Sequence, residues 1–237
     1  MAWCCTRCLY KTEKTLAFFG EAWYNTAMKT QEKKEALALL QELYYDAKPA
    51  LEYTTAYELL VAVVLSAQCT DARVNIVTRE LFKGYNTPEK MLTLSQEQLE
   101  RYIFSCGFYR NKAAHILSAS QDIVDRFQGE VPSTIEELMS LAGVGKKTAN
   151  VVYSVWFGGA AIAVDTHVFR VSNRLGLAKG KTPEQVEAGL MKAIPKSDWS
   201  KAHHQLIYHG RQICHSQKPS CEVCPLAPLC DYNKKRQ

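Results

Sequence analysis

The stretch LAGVGKKTA, residues 141–149, is the part of this 237-residue chain that decides its fold. It joins two helical patterns through Gly143 and Gly145, which tolerate positive φ and let another backbone come close. The second helix begins directly after the turn, so its free amides and the positive end of its dipole point at the loop. Anions bind at such helix starts. We therefore expect the backbone of Gly143, Val144 and Gly145, with the side chain of Lys146, to contact a DNA phosphate, although a plain tight turn is the alternative.

Helical periodicity extends from this turn in both directions. From Lys29 onward there are few runs of strict alternation, and helix breakers recur at intervals typical of short helices. The pattern predicts an all-α fold. The predicted helices cover residues 30–47, 57–81, 88–94, 95–103 and 111–127, followed by one that starts at Ser133 with Glu136 as its capping-box partner.

Charge and apolar patterning narrow the class of protein. The chain carries 29 basic and 24 acidic residues, a net charge of +5 that permits nucleic-acid binding without requiring it. The longest apolar run, residues 59–67, is about half of what a membrane span needs. No secretory signal opens the chain. We expect an intracellular protein without a membrane segment, cytoplasmic and associated with the nucleoid if the source is bacterial.

Two side chains near the turn are candidates for chemistry. Lys147 lies in the first turn of the helix after the loop, and lysine amines act as nucleophiles that form Schiff bases. Asp165, in the stretch AVDTHVFRV (163–171), follows an apolar approach and precedes an amphipathic helix, a pattern typical of an N-cap. A carboxylate at such a position can also stabilise developing positive charge on a sugar.

The nine cysteines fall into three groups. Cys214, Cys221, Cys224 and Cys230 are separated by six, two and five residues, which predicts a metal centre in a reducing compartment. Cys69 and Cys106 stand alone among apolar neighbours, and we expect both in the core. The group Cys4, Cys5 and Cys8 contains one CxxC pair without a second pair nearby, and its role stays open.

Four motifs together resemble a known family. LAGVGKKTANVV (141–152), AVDTHVFRV (163–171), HHQLIYHGR (203–211) and the four-cysteine tail are similar to the endonuclease III branch of the helix-hairpin-helix DNA glycosylases. The resemblance runs from about residue 28 to the end. It implies a bifunctional DNA glycosylase/AP lyase of base excision repair. Such an enzyme would act as a monomer on duplex DNA with damaged bases or abasic sites, removing oxidised pyrimidines.

The resemblance assigns roles to individual residues. Lys147 would attack C1′ of a flipped nucleotide, and Asp165 would support the oxocarbenium-like charge before β-elimination. Gln68 and Phe108 would insert into the duplex, although core packing is the alternative for Phe108.

For the four-cysteine tail the resemblance implies a [4Fe-4S] cluster on Cys214, Cys221, Cys224 and Cys230. Zinc is the competing metal, but structural zinc sites usually pair two CxxC-like knuckles, and this spacing has only one. Lys218, in the loop between the first two cysteines, would reach the DNA backbone, with a merely solvated loop as the alternative.

The implied architecture has two helical lobes with a cleft between them. Residues 49–160 would form a six-helix lobe carrying the hairpin, and residues 28–48 with 161–237 would form the cluster lobe. Residues 1–27 are expected to be a flexible N-terminal extension. Lys147 and Asp165 would face each other across the cleft.

Two other functions compete with this interpretation. A monofunctional adenine glycosylase of the same superfamily shares the hairpin, the aspartate and the cysteine tail, but lacks the lysine and carries a further C-terminal domain. A non-catalytic DNA-binding module would use the hairpin and the cluster only to hold DNA. The presence of Lys147 argues against the first alternative, and the presence of both Lys147 and Asp165 argues against the second.

Overall fold

The computed structural model describes residues 28–236, and all of its regular structure in that range is helical. The predicted all-α fold is confirmed. The predicted extension over residues 1–27, with its three cysteines, lies outside the described residues. In this part of the chain no helix is both long and apolar enough to cross a membrane. The helices are α1 (Thr30–Leu43), α2 (Ala56–Ser66), α3 (Asp71–Leu81), α4 (Pro88–Met91), α5 (Gln96–Ile103), α6 (Tyr109–Phe127), α7 (Ile135–Met139), α8 (Lys146–Val155), α9 (Thr166–Leu175), α10 (Pro183–Ala193), α11 (Trp199–Gln212) and α12 (Asp231–Lys234).

The single helix predicted over residues 57–81 is wrong, because the structure has two helices there. A turn after α2 contains Gln68 in the left-handed region, with φ at 54°. Thr70 then starts α3, its hydroxyl oxygen accepting a hydrogen bond from the Arg73 amide. Hydroxyl side chains favour such helix starts over helix interiors. The break places the turn at the surface, where Gln68 is exposed.

Two predicted helix starts have different outcomes. Ser95 caps α5 as expected, and the Gln98 side chain accepts a hydrogen bond from the Ser95 amide in return. The predicted capping box at Ser133 is wrong by one residue. Thr134 is the N-cap of α7, and its hydroxyl accepts from the Glu137 amide at 3.2 Å. Ser133 and Thr134 offer the same chemistry, so the sequence pattern does not separate them.

The first of two hydrophobic cores is built around α2. Every residue of α2 from Tyr57 to Leu65 is buried, because this helix is apolar on all sides and packs against α3, α6 and α8. Each fully buried leucine stabilises the fold by about 1.5–3 kcal/mol. The same core includes Val144, in the turn before α8. Packing of Val144 therefore fixes that turn to the core.

The second core joins both ends of the described chain. Met28 belongs to this core. So does Leu40 of α1, which packs with Val168 and Val171 of α9 and with Leu206 of α11. Helix α11 lies against both α9 and α1. As a result, the N-terminal end of α9 lies beside α8, near the turn that Val144 fixes to the first core. Asn150 of α8 spans the junction by donating to the Ile162 carbonyl at 3.0 Å.

Candidate functional site

The turn before α8 uses its two glycines differently. Gly143 has φ at 74°, and a Cβ atom there would lie 2.7 Å from the Cβ of His115, so no larger residue fits. Gly145 has φ at −87°, and a Cβ there would meet nothing within 4 Å. The expectation of a close neighbour therefore holds inside the protein for Gly143. At Gly145 the space is open, and another backbone can approach it from outside.

The amides at the start of α8 are available to a ligand. Gly145 is the N-cap and carries no side chain that could accept their hydrogen bonds. The backbone of residues 143–145 therefore forms a surface at the positive end of a helix. Such a surface suits a phosphate oxygen.

The two lysines that begin α8 have different partners. Lys146 Nζ lies 2.8 Å from Oε2 of Glu187, a carboxylate that is mostly buried and also accepts from Asn150 at 3.2 Å. Lys146 is thus held toward α10. Lys147 is exposed and lines the cleft described next. Of the two amines, the one predicted to be catalytic faces open space.

Lys147 and Asp165 line the same cleft, together with Gln68 and Arg211. The cleft has a volume of about 640 Å³, and a small recess of about 90 Å³ that Lys147 and Asp165 also line extends behind it. A cleft of this volume is within the range that holds small ligands. An amine and a carboxylate can therefore act together on one bound group here.

Asp165 is the N-cap of α9, as predicted. Its Oδ1 accepts a hydrogen bond from the Val168 amide at 2.7 Å. Behind it, the Nδ1 of buried His203 lies 2.7 Å from the Ala163 carbonyl oxygen, so this nitrogen carries the proton and donates it. Burial lowers the pKa of His203, with the Asp165 carboxylate opposing, so the ring is neutral. The Val168 amide therefore holds the Asp165 carboxylate, and His203 holds the backbone two residues before it.

An ion pair crosses the cleft between helices of the two cores. Arg211 Nη2 of α11 lies 2.7 Å from Oδ2 of Asp71, at the start of α3. Both residues line the cleft and its recess. Sequence reasoning missed this pair and His203. The quoted motif HHQLIYHGR contains His203 and Arg211, but no pattern identifies the partners they meet.

The structure brings together the two residues predicted to insert into DNA. Gln68 and Phe108 are both exposed, and both have left-handed backbones, with φ at 54° and 58°. A Cβ on Gly107 would lie 3.3 Å from the Gln68 carbonyl oxygen, so the two loops touch. Phe108 is 65% exposed, which rules out the core alternative for it.

A buried ammonium supports the Gln68 loop from below. Lys112 of α6 donates to the Leu65 carbonyl at 2.8 Å and the Ala67 carbonyl at 2.6 Å. These carbonyls stand at the C-terminal end of α2, where cations are favoured. Lys112 therefore fixes the end of α2 from which the Gln68 turn starts.

The four tail cysteines line one pocket. In residues 28–236, no group of three or more His, Cys, Asp or Glu side chains is arranged to share a single metal ion. The thiols stand around a space instead. Burial raises the pKa of the Cys224 and Cys230 thiols, hydrogen bonds from the backbone act to lower it, and the other tail cysteines raise it. Positive charge from a bound group would favour the thiolates here.

Polar side chains reach several of these sulfur atoms. His209 Nε2 lies 3.7 Å from Cys224 Sγ, and Arg174 Nη1 lies 3.5 Å from Cys214 Sγ. Arg174 also donates to the His215 carbonyl at 2.5 Å and the Ser216 carbonyl at 2.8 Å. It therefore fixes the base of the loop that follows the first cysteine.

Lys218 lies further along this loop. It is exposed, and its φ of 48° lies in the left-handed region. Pro219 follows it, and its carbonyl oxygen accepts a hydrogen bond from the Cys221 amide at 2.9 Å. The Lys218 side chain is thus available at the surface.

With this geometry in view, the chain was compared with known proteins. Residues 61–196 match the family model of the HhH-GPD superfamily base excision DNA repair proteins. The chain belongs to this family. It is 50% identical to endonuclease III of Rickettsia conorii over 78% of this chain and 88% of that protein. It is also 50% identical to endonuclease III of Bacillus subtilis, over 82% and 90%.

Solved structures agree with the sequence comparison. A trapped endonuclease III–DNA covalent intermediate is similar to this chain with a TM-score of 0.85 and 49% identity, covering 88% of this chain and 98% of that one. The predicted membership in the endonuclease III branch and the helix-hairpin-helix glycosylase fold are confirmed. The predicted enzyme class, a DNA glycosylase/AP lyase of base excision repair, is confirmed with them.

Proposed function

We propose that this enzyme removes oxidised pyrimidines from duplex DNA and nicks the resulting abasic site by β-elimination. It acts as a monomer inside the cell, at the nucleoid in a bacterium. The observation that carries the proposal is the cleft that Lys147 and Asp165 share, next to the touching loops of Gln68 and Phe108. The related endonuclease III structure trapped as a covalent DNA intermediate supports a covalent route.

The excision step begins with a base outside the helical stack, since the reacting C1′ atom is inaccessible in paired DNA. The two inserting side chains would fill the gap left by the flipped nucleotide. The Lys147 amine forms a bond to C1′, the glycosidic C–N bond breaks, and the base departs with the electron pair and takes up a proton. Asp165 stabilises the oxocarbenium-like charge on the sugar in this step.

The nicking step follows from the covalent product. Opening of the sugar ring leaves a Schiff base between C1′ and Lys147. Asp165, which supports the proton transfers, assists loss of a proton from C2′. The C3′–O bond then breaks, and the 3′ phosphate leaves with that electron pair. Hydrolysis of the imine releases the enzyme, so the lysine is regenerated.

DNA would be held by groups around the cleft. The open backbone at residues 143–145 faces the positive end of α8 and suits one phosphate. Lys146 would contribute charge at this turn after exchanging its pairing with Glu187 for a phosphate. Lys218, exposed on the loop after Cys214, would contact the backbone further along the strand.

The family implies a [4Fe-4S] cluster, and the tail cysteines fit one. Cys214, Cys221, Cys224 and Cys230 would hold it, because they surround a pocket rather than a single point. When bound, the cluster supplies shape and positive charge to four thiolates rather than a reacting group. We also propose that the two hydrophobic cores mark two lobes, residues 49–160 and residues 28–48 with 161–237. The cluster belongs to the second.

The proposed excision and nicking are tested on a duplex with one thymine glycol. Wild-type enzyme should release the base and nick that strand, while Lys147→Gln should bind the duplex without nicking it. Lys146→Gln is the matched control because it removes the neighbouring amine. It should bind more weakly but nick fully at saturating enzyme. Full nicking by Lys147→Gln would overturn the assignment of the nucleophile.

The proposed cofactor has a separate test. Purified protein should be brown and contain iron and sulfide, and Cys221→Ser should lose the colour. A colourless wild-type protein with bound zinc would overturn the cluster.

A further inference from the structure

A second pair of cysteines meets beneath the two inserting loops, away from the tail. Cys69 directly follows Gln68, is partly exposed and lines the cleft. Cys106 is fully buried two residues before Phe108. The prediction that both lie in the core is confirmed for Cys106 and wrong for Cys69. The break between α2 and α3 brings residue 69 to the surface.

The structure packs the two cysteines in one core, Cys106 within it and Cys69 against it. Burial, with the side chain of Cys69 as a further cause, raises the pKa of Cys106 to about 11. The contact between Gly107 and the Gln68 carbonyl, at 3.3 Å for a Cβ, places the two backbones together independently. The pair therefore connects two loops that are far apart in the sequence.

Two cations stand beside this pair. Lys112 and Arg73 both act to lower the pKa of Cys106, which partly offsets the effect of burial. The Lys112 ammonium is itself influenced by both thiols while it holds the end of α2. Nearby cations favour the thiolate, the form of cysteine that reacts with oxidants. None of these groups has a role in the excision steps described above.

We propose that Cys69 and Cys106 form a reversible disulfide on exposure to peroxide, and that this bond displaces the loops of Gln68 and Phe108. Cys69 is the accessible partner, since it lines the cleft. Its thiolate attacks hydrogen peroxide, the O–O bond breaks, and hydroxide leaves, giving a sulfenic acid. The Cys106 thiol then attacks the Cys69 sulfur. The S–S bond forms as the S–O bond breaks, and the Cys106 proton passes to the departing hydroxide. Overall, two thiols and one peroxide give one disulfide and two waters.

The effect on the loops follows from bond length. Sulfur atoms in a disulfide lie about 2.0 Å apart, closer than two sulfur atoms that are in contact without a bond. The bond therefore draws residues 69 and 106 together and shifts the neighbouring Gln68 and Phe108. This consequence for DNA binding rests on the proposed function, in which those two side chains enter the duplex. Formation of the bond itself does not.

The first test maps the bond. Full-length cluster-bearing protein is treated with hydrogen peroxide, alkylated, digested and analysed by mass spectrometry. The expected product links the peptides that contain Cys69 and Cys106, and dithiothreitol reverses it. Cys69→Ser and Cys106→Ala should each abolish this product. Peroxide treatment that leaves both thiols free, or links either one only to another cysteine, would overturn the proposal.

The second test measures the consequence. Binding to a duplex with a tetrahydrofuran abasic analogue, which cannot form a Schiff base, should weaken roughly tenfold on oxidation and recover on reduction. Cys106→Ala protein should show no such change. Visible absorbance is followed in parallel to show that the iron centre is intact. Unchanged affinity of the cross-linked protein would overturn the loop displacement, whereas failure of the excision assay would overturn the proposed function instead.

Discussion

The cleft and the cysteine pocket present opposite environments on the same helices. In the cleft, Lys147 is exposed and Asp165 partly so, and ion pairs and amides surround them. In the pocket, Cys230 is buried. Desolvation disfavours the thiolate forms of Cys224 and Cys230. The difference agrees with the proposed roles of the two regions, since the proposed nucleophile is accessible and the proposed cofactor ligands are partly or fully buried.

Helices α9 and α11 connect these two environments. Asp165 caps one end of α9, while Arg174 near the other end touches a tail cysteine. On α11, His203 faces the cleft segment and His209 contacts Cys224. We therefore expect that disruption of the cysteine pocket disturbs the cleft through these two helices, although no tail cysteine lines the cleft.

The largest single-residue effect outside Lys147 is expected at Asp165. Asp165→Asn should lower the excision rate by roughly 10²–10³-fold, because the charge that stabilises the sugar cation is lost. Asparagine also caps helices well, so the melting temperature should hardly change. Single-turnover kinetics and thermal melting check this. A melting temperature that falls together with the rate would mean that Asp165 is only a structural cap.

A smaller effect is expected in the pocket at Arg174. Arg174→Ala should weaken retention of the metal centre by about 10–100-fold, since it removes contacts to Cys214 and to the loop after it. Loss of iron to a chelator over time measures this. Arg236→Ala is a matched control, because Arg236 also reaches a tail sulfur, that of Cys221 at 3.6 Å, and also stacks on Tyr232, but is more exposed than Arg174. Equal iron loss in both variants would contradict the loop role of Arg174.

His204 lines the recess behind the cleft and should make the stability of the protein depend on pH. Burial, together with the charges of His203 and Arg211, lowers the pKa of His204 from 6.5 to about 3. The unfolded state binds more protons between these values. The free energy of unfolding should therefore fall as pH drops below 6.5, by up to about 1.4 kcal/mol per unit for this histidine. Denaturant titrations of His204→Gln at several pH values should show a free energy of unfolding that depends less steeply on pH than that of the wild type. An unchanged pH dependence would contradict His204 as its origin.

The smallest effect is expected at the ion pair across the cleft. Arg211 and Asp71 are partly exposed, so their coupling energy should be below about 1 kcal/mol. A double-mutant cycle of Arg211→Gln and Asp71→Asn, read by denaturant unfolding at low and high salt, measures it. Coupling well above that value would show that the pair, rather than the two cores, sets the geometry of the cleft.

Local chemistry explains which features were predictable from the sequence. The glycine turn before α8, the Asp165 cap and the cysteine spacing are short-range patterns, and the structure brings the predicted residues of each to one place. The break after α2 was not predictable, because residues 67–70 contain neither glycine nor proline. The left-handed turn at Gln68 depends on Lys112, which is distant in the sequence.

The pairing of side chains across the fold was equally beyond sequence reasoning. Lys146 and Lys147 are adjacent residues of the same type. The structure shows that Lys146 pairs with Glu187 and that Lys147 faces the cleft. Cys69 and Cys106 are each ordinary apolar-context cysteines in the sequence. Their contact depends on how α2, α3 and α6 pack, which no local pattern encodes.

The central claim is that Lys147 forms a covalent Schiff base with the sugar, and borohydride trapping tests it most directly. Borohydride reduces an imine to a stable amine, which leaves a permanent protein–DNA crosslink. On a duplex with one thymine glycol, wild-type enzyme should crosslink through Lys147, and Lys147→Gln should not. Release of the damaged base by wild-type enzyme without any crosslink would contradict the account, since water would then be the nucleophile.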